Sequence, residues 1–159
     1  FKGDPEWNKG RKFPHPGTFN ANPISAAGGI ATLKTIASGE EIDKANRAAK
    51  ALRNRMNDLI EARKLPWCVY GAFSEFIVLP DCGGPNAVEE IMAGRFDHRR
   101  LKDLDKTLSE KYRSAMTLNG VHVMSNKGLT SSVHTEEDLD ETVEAFDRSI
   151  DMLKQEGLV

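Results

Sequence analysis

The segment Gly17-Thr18-Phe19-Asn20-Ala21-Asn22-Pro23 holds the residue types and spacing in this chain that best suit chemistry. It is a small, hydroxyl-bearing turn directly before a helix start. Asn22-Pro23 reads as a helix start: Asn is a favoured N-cap, and Pro at the first helical position loses no hydrogen bond. A helix N-terminus carries unpaired N–H groups and a partial positive charge, so the turn before it suits phosphate or another anion. The alternative for Thr18 is that it only closes the turn. Asn20 and Asn22 read as turn-shaping and capping residues.

No other segment carries a self-sufficient catalytic constellation. His15, His98, His122 and His134 show no pairing at helical metal-ligand spacing, and Cys68 and Cys82 form no C-x-x-C, so no metal site is expected. His134 precedes a helix cap and is read as bonding locally, and His122 as a residue at the edge of the core. No G-x-S-x-G, Walker A or dinucleotide fingerprint occurs. Gly28-Gly29 falls inside a helix and cannot serve as a phosphate loop. Ser131 and Ser132 lack a recognisable base.

Composition narrows the class. With 39% hydrophobic and 29% charged residues, the chain reads as ordinary globular protein with a real core. Its formal net charge of -2 argues against nucleic-acid binding, which needs a basic surface. The Arg99-Arg100 and Lys102 cluster is diluted by Asp97, Asp103 and Asp105 and reads as a solvated face. No apolar run approaches the roughly 20 residues of a membrane span. Two unpaired cysteines are read as reduced, mostly buried thiols, and a cytoplasmic location is expected. The chain opens on Phe1 rather than Met, so its native start is expected to lie elsewhere.

The elements that must position the turn follow from periodicity. Residues 1–22 hold Pro5, Pro14 and Pro16 among glycines and read as irregular, with Phe1, Trp7, Phe13 and Phe19 as scattered apolar anchors. A helix is expected from Pro23 to Ala37. It is apolar or small all round, the composition of a buried helix. A second helix runs from Glu40 to Lys64, with Ala45, Ala49, Leu52, Met56 and Leu59 as its stripe, and Pro66 enforces its stop. Cys68–Leu79 reads as one strand bent at Gly71. Residues 80–98 read as a loop with a short helical piece at Ala87–Met92, and a helix is expected over Arg99–Leu118. Short strands fit Val121–Met124 and Leu129–Val133. A last helix starts at Thr135 with a capping box through Asp138, buries Leu139, Val143, Phe146, Ile150 and Leu153, and ends at Gly157. The order suits an α+β fold with a small, mostly antiparallel sheet covered by helices. The expected organisation is an irregular segment (1–22), linking helices (23–66) and a small α+β domain (67–159).

At this point the residues resemble a family. His15-Pro16-Gly17-Thr18-Phe19-Asn20-Ala21-Asn22-Pro23, with Ser25–Ala31, is similar to the H-x-G-T-x-x-x-N-P segment of class III pyridoxal-phosphate aminotransferases, in the glutamate-1-semialdehyde 2,1-aminomutase-like branch. The resemblance continues through Trp67-x-x-x-Gly71, Tyr112-Arg113-Ser114-Ala115-Met116, Gly120-Val121, Val133–Asp140 and Thr142–Asp147. It covers nearly the whole chain from Gly17 onward, in order.

The resemblance implies the C-terminal part of a type I aminotransferase fold. It implies a homodimer with active sites shared across the interface, and a small amino-acid or amino-aldehyde substrate. In such enzymes pyridoxal 5'-phosphate forms a Schiff base with a lysine upstream of this region. The threonine of the G-T turn reaches the cofactor phosphate of the other subunit; Thr18 and Gly17 match that turn. No lysine here sits in the family's lysine motif, and the aspartate at the pyridine nitrogen also lies upstream. The resemblance therefore implies no catalytic residue in this chain, which alone is expected to be inactive. Aminomutases carry a P-S-x-x-E-A-G-F run whose glutamate lies near the substrate. Met124–Ser131 fills that interval without it, which leaves mutase and aminotransferase both open. Lys127 in that interval is read as a solvated turn residue rather than a pocket residue. The competing reading is a stand-alone, non-catalytic dimerisation or binding module.

Overall fold

The computed structural model describes Glu6, Lys9, Gly10 and residues 17–159. The anchors Phe1, Trp7 and Phe13, and His15-Pro16 of the quoted motif, lie outside the described residues. The chain forms two compact units, one ending at Ala37 and one over Ser38–Val159.

The first unit contains α1 (Pro23–Ile36). Its start is the one expected, with Asn22 as N-cap and Pro23 in the first turn. Its composition is that of a buried helix, yet none of its residues is buried, and Ile24 and Leu33 are 82% and 65% exposed. Composition marks a helix as suited to burial; what packs on it decides the burial itself.

The second unit is an α+β layer. α2 (Glu40–Ala62) buries Ala49, Leu52, Met56 and Ile60. These four recur at spacings of three and four, so they share one face. Leu59, expected in that stripe, is only partly buried, and Ile60 takes the place. β1 (Cys68–Tyr70) and β2 (Glu75–Leu79) form an antiparallel pair with Val69 opposite Val78. The single strand expected over 68–79 is thus a hairpin. Gly71 sits at φ 146°, and a Cβ there would lie 2.5 Å from the Glu75 carbonyl oxygen, so the chain can reverse only without a side chain. α3 (Ala87–Met92) matches its expected bounds.

α4 spans Lys106–Leu118, not Arg99–Leu118. Asp105 is its N-cap, accepting from Leu108 N at 3.0 Å, and an acidic cap beats the apolar spacing of Leu101 and Leu104 as a start signal. β3 (Lys127–Leu129) pairs antiparallel with β2, Phe76 opposite Gly128, giving the sheet order β1-β2-β3. The two strands expected around it reduce to this one and an isolated bridge from Met124 to Lys127. A positive φ of 59° at Ser125 turns the chain between them. α5 (Glu136–Gln155) begins with the expected capping box between Thr135 and Asp138 and buries Leu139, Phe146, Ile150 and Leu153; Val143 is partly buried.

The core lies between the sheet and α2, α4 and α5. Trp67, Val69, Val78, Tyr112, Met116, Phe146 and Ile150 meet there in one cluster. Tyr112 and Phe146 contact edge to face, centroids 6.1 Å apart at 79°. Arg55 and Arg63 join α2 to α5 on the surface, Arg55 to Glu136 and Asp140, Arg63 to Asp147 and Asp151. A smaller cluster of Cys68, Leu79, Cys82 and Ile91 fills the space under α3.

Candidate cofactor-phosphate turn

Two consecutive turns build the Gly17–Asn22 segment. Asn20 N donates to Gly17 O and Asn22 N to Phe19 O, both at 3.1 Å, and Ala21 adopts φ 60° between them. A Cβ on Gly17 would lie 2.5 Å from Asn20 Oδ1, so the Asn20 side chain fills the space that any larger residue would need. Asn22 Oδ1 then accepts from Ile24 N at 2.9 Å and Ser25 N at 3.3 Å, and Asn22 O accepts from Ala26 N.

These bonds limit the donors that remain for an anion. Pro23 has no N–H, and the next three donors of α1 are taken by Asn22. The helix end offers its dipole but no spare N–H group, unlike the open terminus that the sequence pattern suggests. Thr18 is exposed, and its hydroxyl and N–H, with the N–H of Phe19, have no hydrogen-bond partner among the described residues. A hydroxyl and two adjacent N–H groups beside a glycine are a donor set that fits the oxygens of a phosphate ester. Pyridoxal phosphate presents such a group.

The motif residues of the second unit do a different job. Trp67, Tyr112, Ala115 and Met116 are core, and Thr135 with Asp138 caps α5. Asp138 is held below the ordinary aspartate range by the backbone and side-chain hydrogen bonds from Thr135. His134 Nδ1 accepts from Ser131 N at 2.9 Å, the local bond expected of it. His122 lies outside any strand and is exposed, yet it lines a small cavity with core residues Leu52 and Phe76, so it sits at the edge of the core as expected. Lys127 is half exposed with Glu75 3.8 Å away, solvated as expected, but it opens β3 rather than lying in a turn. Among the described residues no cluster could hold a metal ion, and no helix is long and apolar enough to cross a membrane.

Sequence reasoning missed one surface groove of about 410 Å³, lined by Lys44, Arg47, Ser132, His134 and Glu136. Lys44 is paired with Glu40 and Glu41 at 3.2 and 2.9 Å. Hydrogen bonds from Ser132 and Lys44 hold Glu41 below its ordinary range. The groove therefore neutralises most of its own charge. Its walls come from α2 and the segment before α5, about 85 positions apart in the chain, so no local pattern reveals it.

No family model matches the chain. It is similar to glutamate-1-semialdehyde 2,1-aminomutases: 28% identical over 140 residues to that of Methanopyrus kandleri, covering 86% of this chain and 30% of the relative. To that of Haloarcula marismortui it is 28% identical over 152 residues, 84% of this chain and 34% of the relative. It thus spans about a third of the length of these relatives. Its fold is similar to a solved transaminase with PLP bound, with TM-score 0.69 at 22% identity, covering 92% of this chain and 31% of that one. An omega-transaminase from Sphaerobacter thermophilus gives the same TM-score over 87% of this chain. In sequence the chain is similar to the C-terminal portion of glutamate-1-semialdehyde 2,1-aminomutases, class III pyridoxal-phosphate enzymes, and in fold it is similar to solved transaminases.

Proposed function

We propose that this chain serves as the C-terminal portion of a pyridoxal-phosphate aminotransferase or aminomutase, and that Gly17 and Thr18 hold the cofactor phosphate. The observation that carries this reading is similarity to aminomutases running along 84–86% of the chain. The Thr18 donors, which have no partner among the described residues, support it. Pyridoxal phosphate, when bound, supplies the electrophilic carbon and electron sink through which an amino group is exchanged. Thr18 contributes charge-assisted hydrogen bonds that fix the phosphate, and with it the register of the cofactor. Asn22 contributes by holding the turn in place while leaving those donors free. The active site is read as shared across a homodimer, with a small amino-acid or amino-aldehyde substrate, in the cytoplasm. Residues 1–22 carry the turn, 23–66 link the large and small domains, and 67–159 form the small domain.

The test is borohydride reduction of the protein made from the complete reading frame, followed by peptide mapping. The cofactor is expected on a lysine outside these 159 residues. A complete protein that binds no pyridoxal phosphate overturns the reading.

One observation favours the alternative of a non-catalytic module: the Ser38–Val159 unit has a hydrophobic core of its own. Sedimentation of the 159-residue chain with a cofactor titration separates the two. A stable, monodisperse species that ignores the cofactor, from a gene with no lysine motif, supports the module.

A further inference from the structure

Cys68 and Cys82 are brought together by the hairpin. Cys68 opens β1 opposite Leu79, and Gly83 N donates to Pro66 O at 3.1 Å, which folds the segment after β2 back along the start of β1. Cys68 and Cys82 pack with Leu79 and Ile91 in one buried cluster, and the Cys82 thiol donates to Gly84 O at 3.7 Å. Both are free thiols.

The two sulfurs are not equivalent. Cys68 is fully buried, whereas Cys82 keeps 7% of its surface. Cys82 lies in a loop that Arg100 braces by donating to Asp81 O at 2.5 Å, and a cavity of about 200 Å³ lined by Asp81 and Arg100 borders that loop. The hydrogen bond from Cys68, then those around Gly84, then the Arg100 charge, draw the Cys82 thiol down to about 7 against burial. Donating its hydrogen bond and being buried push Cys68 far up. A thiolate is the reactive form, so reactivity is concentrated on the sulfur nearer the surface.

We propose that Cys68 and Cys82 are a peroxide-oxidisable pair in which Cys82 reacts first and Cys68 resolves it as an intramolecular disulfide. The Cys82 thiolate attacks one oxygen of hydrogen peroxide, the O–O bond breaks, and hydroxide leaves as a sulfenic acid forms. The Cys68 sulfur then attacks the Cys82 sulfur. The S–O bond breaks, and the departing hydroxide takes the Cys68 thiol proton and leaves as water. Two thiols are oxidised by two electrons and one peroxide is reduced. The product ties the start of β1 to the loop after β2. It does not depend on the amino-transfer reading.

The experiment treats the folded 159-residue chain with hydrogen peroxide and measures intact mass and linked peptides. A loss of about 2 Da, reversed by dithiothreitol, with one peptide pair joining Cys68 to Cys82, is expected. In Cys68→Ala, Cys82 is expected to stop at a sulfenic acid that dimedone traps; in Cys82→Ala, Cys68 is expected to stay unmodified. Cross-links between chains, dimedone labelling of Cys68, or oxidation only after unfolding in urea would each overturn the proposal. The wild-type mapping stands even if a variant fails to fold.

Discussion

Asn57 and Val69 exchange two hydrogen bonds, Asn57 Nδ2 donating to Val69 O at 2.7 Å and Val69 N donating to Asn57 Oδ1 at 2.8 Å. β1 is an edge strand, so the outward N–H and C=O of Val69 have no strand partner. The Asn57 amide stands in for the missing strand and fixes the sheet against α2. Asn57→Ala strands both backbone groups in a buried place and is expected to cost about 2–4 kcal/mol, two hydrogen bonds with their desolvation penalty. Urea denaturation measures it; a loss below about 0.5 kcal/mol would mean that water replaces the amide.

Gly128 gives a second stability prediction. A Cβ there would run into the Phe76 ring, its partner across β2 and β3. Gly128→Ala is expected to destabilise by about 1–3 kcal/mol, the usual cost of overpacking. Adding Phe76→Leu should recover part of that cost. Strictly additive effects in the double-mutant cycle would show that the two sites do not touch.

Acid should weaken the chain through its caps and ion pairs. Asp138 lies below its ordinary range because Thr135 hydrogen-bonds it, and Asp151 because Arg63 does. A lowered folded value means that the contribution is fully present above the unfolded value. It is lost as pH falls from the ordinary aspartate value of 3.8 through the folded one. Asp138→Ala should flatten the decline of urea stability in that window and leave stability at neutral pH lower. An unchanged slope would show that other carboxylates govern it.

Tyr112 is buried, its hydroxyl has no partner among the described residues, and burial raises its pKa. Tyr112→Phe removes an unsatisfied group and keeps the ring against Phe146, so it is expected to be neutral or stabilising by up to about 2 kcal/mol. The raised value keeps the folded phenol neutral, so its contribution is lost as pH rises past about 10, where the unfolded chain ionises. The variant should show less alkaline loss, read by thermal melts across that range. Marked destabilisation at neutral pH would mean that an ordered water pairs the hydroxyl.

On the proposed function, Thr18→Val in the complete protein removes the hydroxyl that holds the cofactor phosphate and keeps the shape. Cofactor affinity is expected to fall about 10-fold or more, the worth of one hydrogen bond to a charged group. A cofactor titration of the apoenzyme checks it, with Thr18→Ser expected to restore most of the loss. Unchanged affinity would reduce Thr18 to a turn residue.

Helix ends are legible in the residues themselves, because capping is local chemistry. Asn22-Pro23 and the Thr135–Asp138 box act within three residues of themselves, and the apolar stripe of α5 needs only its own period. The Gly17-Thr18 turn is legible for the same reason. Elements whose form depends on a distant partner are not. The 68–79 run is continuous in β propensity, and only the pairing of Val69 with Val78 and the steric gap at Gly71 divide it. Residues 99–105 keep an apolar spacing, but Asp105 captures the helix start. The meeting of Cys68 with Cys82, and of Asn57 with Val69, follows from how α2 and the hairpin pack. Helix caps, amphipathic faces and the Gly17–Asn20 turn are thus specified by neighbours along the chain, and the amino-acid order alone suffices for them. Which side chain replaces a missing strand, and which thiols meet, depend on where partners distant in sequence come to rest, and packing in three dimensions sets that.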